Sequence, residues 1–187
     1  MSISLVKGQK MDLTKGNPGL KNLIIGLGWD VNAGNGEDFD LDSVALCLTQ
    51  GKLAKGEDMI FFGNLTHDSG SVKHSGDNLT GLGDGVDESI FIELDKVPSD
   101  IDKIVFDISI YQANIRRQNF GQVNNAFVTV NNKDTGEELL RYDLSEDFSI
   151  ETSVIIAEIY RHNGEWKFNA KGEGVTGELA QVRDMYL

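Results

Sequence analysis

Neither lysine nor arginine occurs in two stretches of this 187-residue chain, Asn22–Gly51 and His74–Asp95. Those 52 residues hold 11 of the 30 acidic residues and none of the 17 basic ones. Carboxylates gathered without counter-ions repel one another in a compact fold, so both stretches call for a cation from elsewhere. Other absences exclude whole classes of function. Cysteine occurs once, at Cys47, which rules out an internal disulfide and fits a reducing compartment. The densest basic group, Arg116-Arg117, is too small for a phosphate-tracking groove, and the formal net charge of −13 argues against non-specific binding to nucleic acid or anionic lipid. The longest near-apolar run, Leu23–Trp29, is far short of the roughly 20 residues of a membrane span. Met1–Lys10 lacks an apolar core of signal-peptide length, and Ser2 stands where N-myristoylation needs glycine. The expectation is a soluble cytoplasmic protein forming one domain over residues 1–187. A chain of this length buries about 70% of its unfolded surface without help from metal.

What is present is alternation of period two, with little helical periodicity. Expected strands are Ser2–Val6, Met11–Thr14, Asn22–Trp29, Phe39–Thr49, Asp58–Gly63, Ser89–Leu94, Lys103–Tyr111, Asn125–Val130 and Glu138–Asp143. A further pair, Thr152–Arg161 and Glu165–Ala170, flanks Asn163-Gly164, whose tolerance of positive φ marks a hairpin. Asp134-Thr135-Gly136 marks another. Glu151–Tyr160 reads as strand through its Thr, Val and Ile content, although Ala157 and Glu158 suit a helix. Glu178–Tyr186 reads as one short helix with Leu179, Val182 and Met185 on a face. The fold class is all-β: a two-sheet β-sandwich with a short C-terminal helix.

The acids have a definite placement on these strands. Asp40 and Asp42 leave the same strand face about 6.8 Å apart, and the same parity runs on through Val44, Leu46 and Leu48 into an expected core. Asp38 shares the parity, and Asp30 follows the strand that ends at Trp29. Ahead of Ile90, Ile92 and Leu94, parity turns Glu88 inward. The run Gly76–Glu88 adds four glycines before it reaches Asp87, with Asp77, Asn78, Thr80, Asp84, Asp87 and Glu88 as oxygen donors. Hard oxygen ligands among glycines are how proteins cage Ca²⁺, which takes about 6–8 oxygens. Neither loop is an EF-hand, since a template begun at Asp38 puts Ser43 where Gly is needed and Thr49 where Glu is needed. No lysine follows the Gly-rich run, against a phosphate loop. Acidic Gly-rich loops are also ordinary solvated turns, and that reading stays open. His67, His74 and His162 are scattered and read as surface residues; with one cysteine, they do not suggest a transition-metal site.

Gly26-Leu27-Gly28-Trp29-Asp30, Phe39-Asp40-Leu41-Asp42 and Gly76-Asp77-Asn78…Thr80-Gly81…Gly83-Asp84-Gly85…Asp87-Glu88 resemble the TerD family of tellurite-resistance and general stress proteins. Gln118–Val123, Arg141–Leu144 and Arg161–Phe168 extend the resemblance over nearly the whole chain. It implies a calcium-binding β-sandwich of the bacterial cytoplasm, linked to resistance to tellurite and chemical damage. It also implies about two Ca²⁺ ions, held by Asp30, Asp40, Asp42, Asp77, Asn78, Thr80, Asp84, Asp87 and Glu88, with the Gly83 carbonyl completing a shell. The chain departs from the family at Val86, commonly Asp, and at Leu79 and Leu82, commonly a basic then an acidic residue.

The leading expectation is a non-enzymatic calcium sensor or partner-binding module, its partners other stress-response proteins or homologous subunits. The alternative is a metal-dependent phosphoesterase or hydrolase using the same loops. The acidic segments supply no base for transition-state charge, so that alternative needs His74 or Arg116 beside an open metal position. A third reading, tellurite capture by Cys47, conflicts with its apolar setting among Ala45 and Leu46. Trp29 and Trp166 are expected in the core.

Overall fold

Period-two alternation becomes twelve strands among the residues described in the computed structural model, which are 3–4, 6–30, 36–77, 85–144, 148 and 150–187. In chain order they are β1 (Ile3–Ser4), β2 (Lys10–Asp12), β3 (Asn22–Gly28), β4 (Leu41–Leu48), β5 (Met59–Ile60), β6 (Val72–His74), β7 (Glu88–Glu93), β8 (Lys103–Ile110), β9 (Phe127–Asn132), β10 (Glu138–Asp143), β11 (Ser153–His162) and β12 (Glu165–Val175). Two short α-helices join them, α1 (Ala113–Arg116) and α2 (Leu179–Asp184). One sheet has the order β1-β10-β9-β3-β7-β6 and the other β2-β12-β11-β8-β4-β5. β1 pairs with β10 in parallel, and the other named pairings are antiparallel.

The main core lies between the sheets. Leu23, Ile25 and Leu27 of β3 and Ile90 and Ile92 of β7 join it from one side, and Leu41, Ala45 and Cys47 of β4 from the other. Trp29 and Trp166 are both 4% exposed and belong to it as expected. Asn163 and Gly164, at φ 52° and 80°, make the turn between β11 and β12. Glu151–Tyr160 resolves as strand, because Ile155 and Ile156 each find apolar partners on opposite faces of β11.

A second apolar cluster corrects the parity reading of β4. Val44, Leu46 and Leu48 are fully buried, but not between the sheets: they lie with Val105 and Ile155 under Val182, Leu179 and Tyr186. The C-terminal helix therefore covers the outer face of the second sheet, and β4 is buried along all eight residues. α2 ends two residues earlier than expected, leaving Met185 57% exposed while Tyr186 packs inward. Two elements went unrecognised in the sequence. β6 has only three residues, and α1 is a single turn bounded by Gln112 and Arg117, both left-handed at φ 51° and 54°. No described helix is long and apolar enough to cross a membrane.

Candidate metal centre

Strand direction brings the acidic segments to one end of the sandwich. β3 runs antiparallel to β7 with Leu27 opposite Glu88, so the exit of β3 adjoins the entrance of β7. β4 enters the opposite sheet beside the exit of β8, with Leu41 opposite Ile110. The two sheets are tied there by Trp29, whose indole Nε1–H donates to the Phe39 carbonyl at 3.2 Å. Asp77 arrives on the segment after β6.

Among the described residues, Asp40, Asp42 and Asp77 form the one group of carboxylates that could jointly hold an ion, with an oxygen from each lying within 4.8 Å of the others. Asp40 and Asp42 are 4% and 5% exposed, whereas Asp77 is exposed. Burial, then the Asp77 charge, pushes the Asp40 carboxyl up to about 6, with Arg116 opposing and Glu88 adding to the rise. Burial, then Asp40, Glu88 and Asp77, pushes Asp42 to about 8. Asp77 is raised as well, chiefly by burial and then by Glu88. Asp40 Oδ1 is buried and accepts no hydrogen bond among the described residues. A buried carboxylate oxygen without a donor is costly, and a hard cation supplies what it lacks. The donor set is all oxygen, which fits Ca²⁺ and not a thiolate or imidazole metal.

The remaining expected ligands divide. Glu88 is 1% exposed, and its Oε2 accepts the Ser43 N–H at 2.8 Å and the Ser43 hydroxyl at 2.7 Å. His74 backs this pair. Its Nδ1 accepts the Gly76 N–H at 3.0 Å, which leaves the proton on Nε2, facing Ser43 O at 3.1 Å and Glu88 Oε2 at 3.4 Å. Glu88 thus braces β7 to β4 behind the three aspartates. Asp87 brackets the exit of β3: its N–H donates to the Leu27 carbonyl at 2.7 Å and its Oδ2 accepts the Trp29 N–H at 3.0 Å. Exposed Asp30 accepts the Asn125 side-chain amide at 2.6 Å. Asn78, Thr80, Gly83 and Asp84 lie outside the described residues, as do Leu79 and Leu82. The Val86 side chain lies over Gly26, where a Cβ would sit 2.8 Å from one of its methyls, so this position offers no side-chain oxygen.

Of the three histidines read as surface residues, His162 is exposed as expected, whereas the other two are not. His74 is buried in the network above, and His67 is buried with Nε2 3.2 Å from Asp58 Oδ1 and Nδ1 2.8 Å from Ser69 Oγ. Arg116 sits closer to the centre than its place in the chain suggests. Left-handed Gln112 and Arg117 fold α1 back so that the Arg116 guanidinium lies 3.6 Å from Asp40 Oδ2 and 3.3 Å from Glu37 Oε2. Gln118 fixes the same corner by donating to the Glu37 and Asp38 carbonyls at 2.8 and 3.2 Å. Cys47 is fully buried, and burial pushes its thiol up to about 12, so almost no thiolate is available at neutral pH.

A solved structure of a homologue of a telluride resistance protein (TerD) from Streptomyces coelicolor A3(2) matches with a TM-score of 0.75 over 88% of this chain and 96% of that one, at 24% identity. That similarity carries the fold alone. In sequence, the chain is 57% identical to general stress protein 16U of Bacillus subtilis, covering 100% of this chain and 97% of the relative. It is 52% identical to the tellurium resistance protein TerD of Serratia marcescens, again with 100% and 97% covered. The TerD domain family model matches residues 1–186. This chain belongs to the TerD family.

Proposed function

We propose that the protein is a non-enzymatic Ca²⁺-binding module of the bacterial stress response, working in the cytoplasm as a sensor or partner-binding unit and holding about two ions at the acidic end of the sandwich. The single observation that carries this reading is the group of Asp40, Asp42 and Asp77, two of them buried, with an Asp40 oxygen that has no donor among the described residues and with Arg116 the cation nearest to it there. One ion would be held by these three carboxylates. Asp30, Asp87 and Glu88, with Asn78, Thr80, Asp84 and the Gly83 carbonyl, are the expected donors for the rest. The names of the relatives support the stress and tellurium-resistance setting. Its partners would be other stress-response proteins or homologous subunits.

The test is calorimetric titration of chelator-stripped protein with Ca²⁺, repeated in excess Mg²⁺. Saturable uptake of about two ions that survives Mg²⁺ is expected, with Asp42→Asn losing at least tenfold in affinity for one of them. No saturable heat, or heat abolished by Mg²⁺, would rule the calcium cage out.

Arg116 gives the hydrolase reading its one specific support, since a guanidinium beside a metal carboxylate is what phosphoryl transfer needs. Against it, both His74 nitrogens are engaged, leaving no evident general base among the described residues. Arg116→Ala separates the two readings. In a binding module, loss of a positive charge near Asp40 tightens calcium binding, by about fivefold for roughly 1 kcal/mol of relieved repulsion. In a hydrolase the same change abolishes turnover of bis(p-nitrophenyl) phosphate by the metal-loaded wild type.

A further inference from the structure

Beside α2, a groove of about 440 Å³ runs between the rings of Phe61, Phe62 and Tyr111 and the helix residue Leu179, with Asp42 and Glu178 supplying carboxylates to its wall. Its size falls in the range of about 300–1,000 Å³ typical of ligand clefts. Phe62 and Tyr111 remain 39% and 40% exposed, and they make edge contacts in the chain Phe61–Phe62 at 5.1 Å and Phe62–Tyr111 at 6.4 Å. The groove's own cation, Arg183, is engaged by Asp184 at 2.6 Å. With Arg183 paired, the carboxyl groups of Asp42 and Glu178 face the exposed aromatic rings without a cation from the groove wall between them.

The neighbouring corner already shows what such a surface takes. The Arg116 guanidinium carbon lies 5.2 Å from the Tyr111 ring centroid while Nη1 stands 3.6 Å from Asp40. A cation is held there between an aromatic face and a carboxylate, a pairing favoured by ring quadrupole and charge together. The groove offers related elements: the Phe62 ring, the Tyr111 ring that Arg116 already approaches from the neighbouring corner, Asp42, and Glu178, whose carboxylate also accepts the Asn114 N–H at 3.4 Å.

We propose that this groove docks a segment of a partner protein that carries a lysine or arginine beside a large apolar side chain. The cation sits against Asp42 and Glu178, and the apolar group lies on the Phe62 and Tyr111 rings. Because Asp42 belongs to both the groove and the aspartate group, an ion held at that group draws on the carboxylate the partner's cation needs, and calcium weakens docking. This deepens the partner-binding part of the function proposed above, and only its calcium arm rests on that reading.

The probe is the peptide Gly-Ser-Leu-Lys-Phe-Ser-Gly, blocked at both ends and titrated in chelator into isotope-labelled full-length protein. Expected are saturable amide shifts centred on Phe62, Tyr111 and Ala180, and at least tenfold weaker binding of the Leu-Glu-Phe analogue. Phe62→Ala weakens binding at least fivefold. Glu178→Gln, which keeps an acceptor at the start of the helix, weakens it about threefold. Ile115→Ala, 77% exposed and outside the groove, leaves it unchanged. Equal binding of the acidic analogue, shifts elsewhere, or indifference to both groove variants in a folded protein would overturn the proposal. So would a sedimenting dimer lost in Phe62→Ala, which would assign the groove to a second copy of the chain. In the second arm, saturating Ca²⁺ lowers peptide affinity at least threefold. Calcium binding without that effect overturns the competition, and no calcium binding at all sinks the function proposed above while leaving the first arm intact.

Discussion

Asp107, in the middle of β8, is 1% exposed, accepts the Ser109 hydroxyl at 2.7 Å and keeps Oδ1 without a donor among the described residues. Burial pushes its carboxyl up to about 7, the Ser109 hydrogen bond opposing. Burial, then the charges of Glu173, Asp107 and Glu158, raises the neighbouring Tyr186 phenol. The folded protein thus keeps a proton that the unfolded chain releases near pH 4. Stability from this group is full below about pH 4, declines as pH rises to about 7 and is lost above it. Asp107→Asn should gain on wild type by a few kcal/mol between pH 4 and pH 8, about 4 at most, as urea unfolding at the two pH values will measure. A constant difference would show that Asp107 titrates normally. Cys47 gives a simpler expectation: no reaction with a water-soluble disulfide reagent at pH 8 until the protein unfolds. At this scale the sequence revealed Asp40 and Asp42 through their spacing, whereas Arg116 reaches them only because two non-glycine residues adopt left-handed backbone. Nothing in a residue list announces that.

Elements were legible where alternation was long. β3 lies within a residue of its expected bounds because Leu23, Ile25, Leu27 and Trp29 alternate, and β8, β10 and β11 lie equally close because β-branched and aromatic content between turn residues marks them as strands. β6 has three residues and no such pattern. The outer covering of β4 was hidden for another reason: a strand buried on both faces shows no alternation that says which partner lies on which side. Close approach between elements also has consequences. A Cβ on Gly28 would collide with the Gly85 carbonyl oxygen and stand 2.5 Å from the Phe127 ring. Gly28→Ala should therefore force β3 and the segment carrying Asp87 apart. The expected cost is roughly 1–3 kcal/mol together with weaker calcium uptake, both measurable on one purified variant. Unchanged stability would mean that the contact yields freely. Val182 is the fully buried residue of α2, so Val182→Asp should release the helix from the second cluster and raise amide exchange over Leu179–Asp184.

For the whole molecule, with a formal charge of −13 and buried aspartates at one end, the function proposed above would make cation binding and folding a single equilibrium. Free calcium at about 100 times Kd adds roughly 2.7 kcal/mol to stability, which for a chain of this size raises Tm by about 5–10 °C. Scanning calorimetry with and without calcium measures it, and an unchanged Tm alongside saturable binding would uncouple the site from the fold. The sandwich and the position of its acidic end followed from alternation and charge distribution. The aromatic groove did not, because Phe62, Tyr111 and Leu179 come from distant parts of the chain and meet only when α2 closes over the second sheet. That closure also leaves β4 without a solvent side. In a saturation mutagenesis survey, β7 should tolerate change at every second position, whereas Leu41–Leu48 should resist it as an unbroken block, as should Ile104–Ile110 and Ser153–Ile159 beside it.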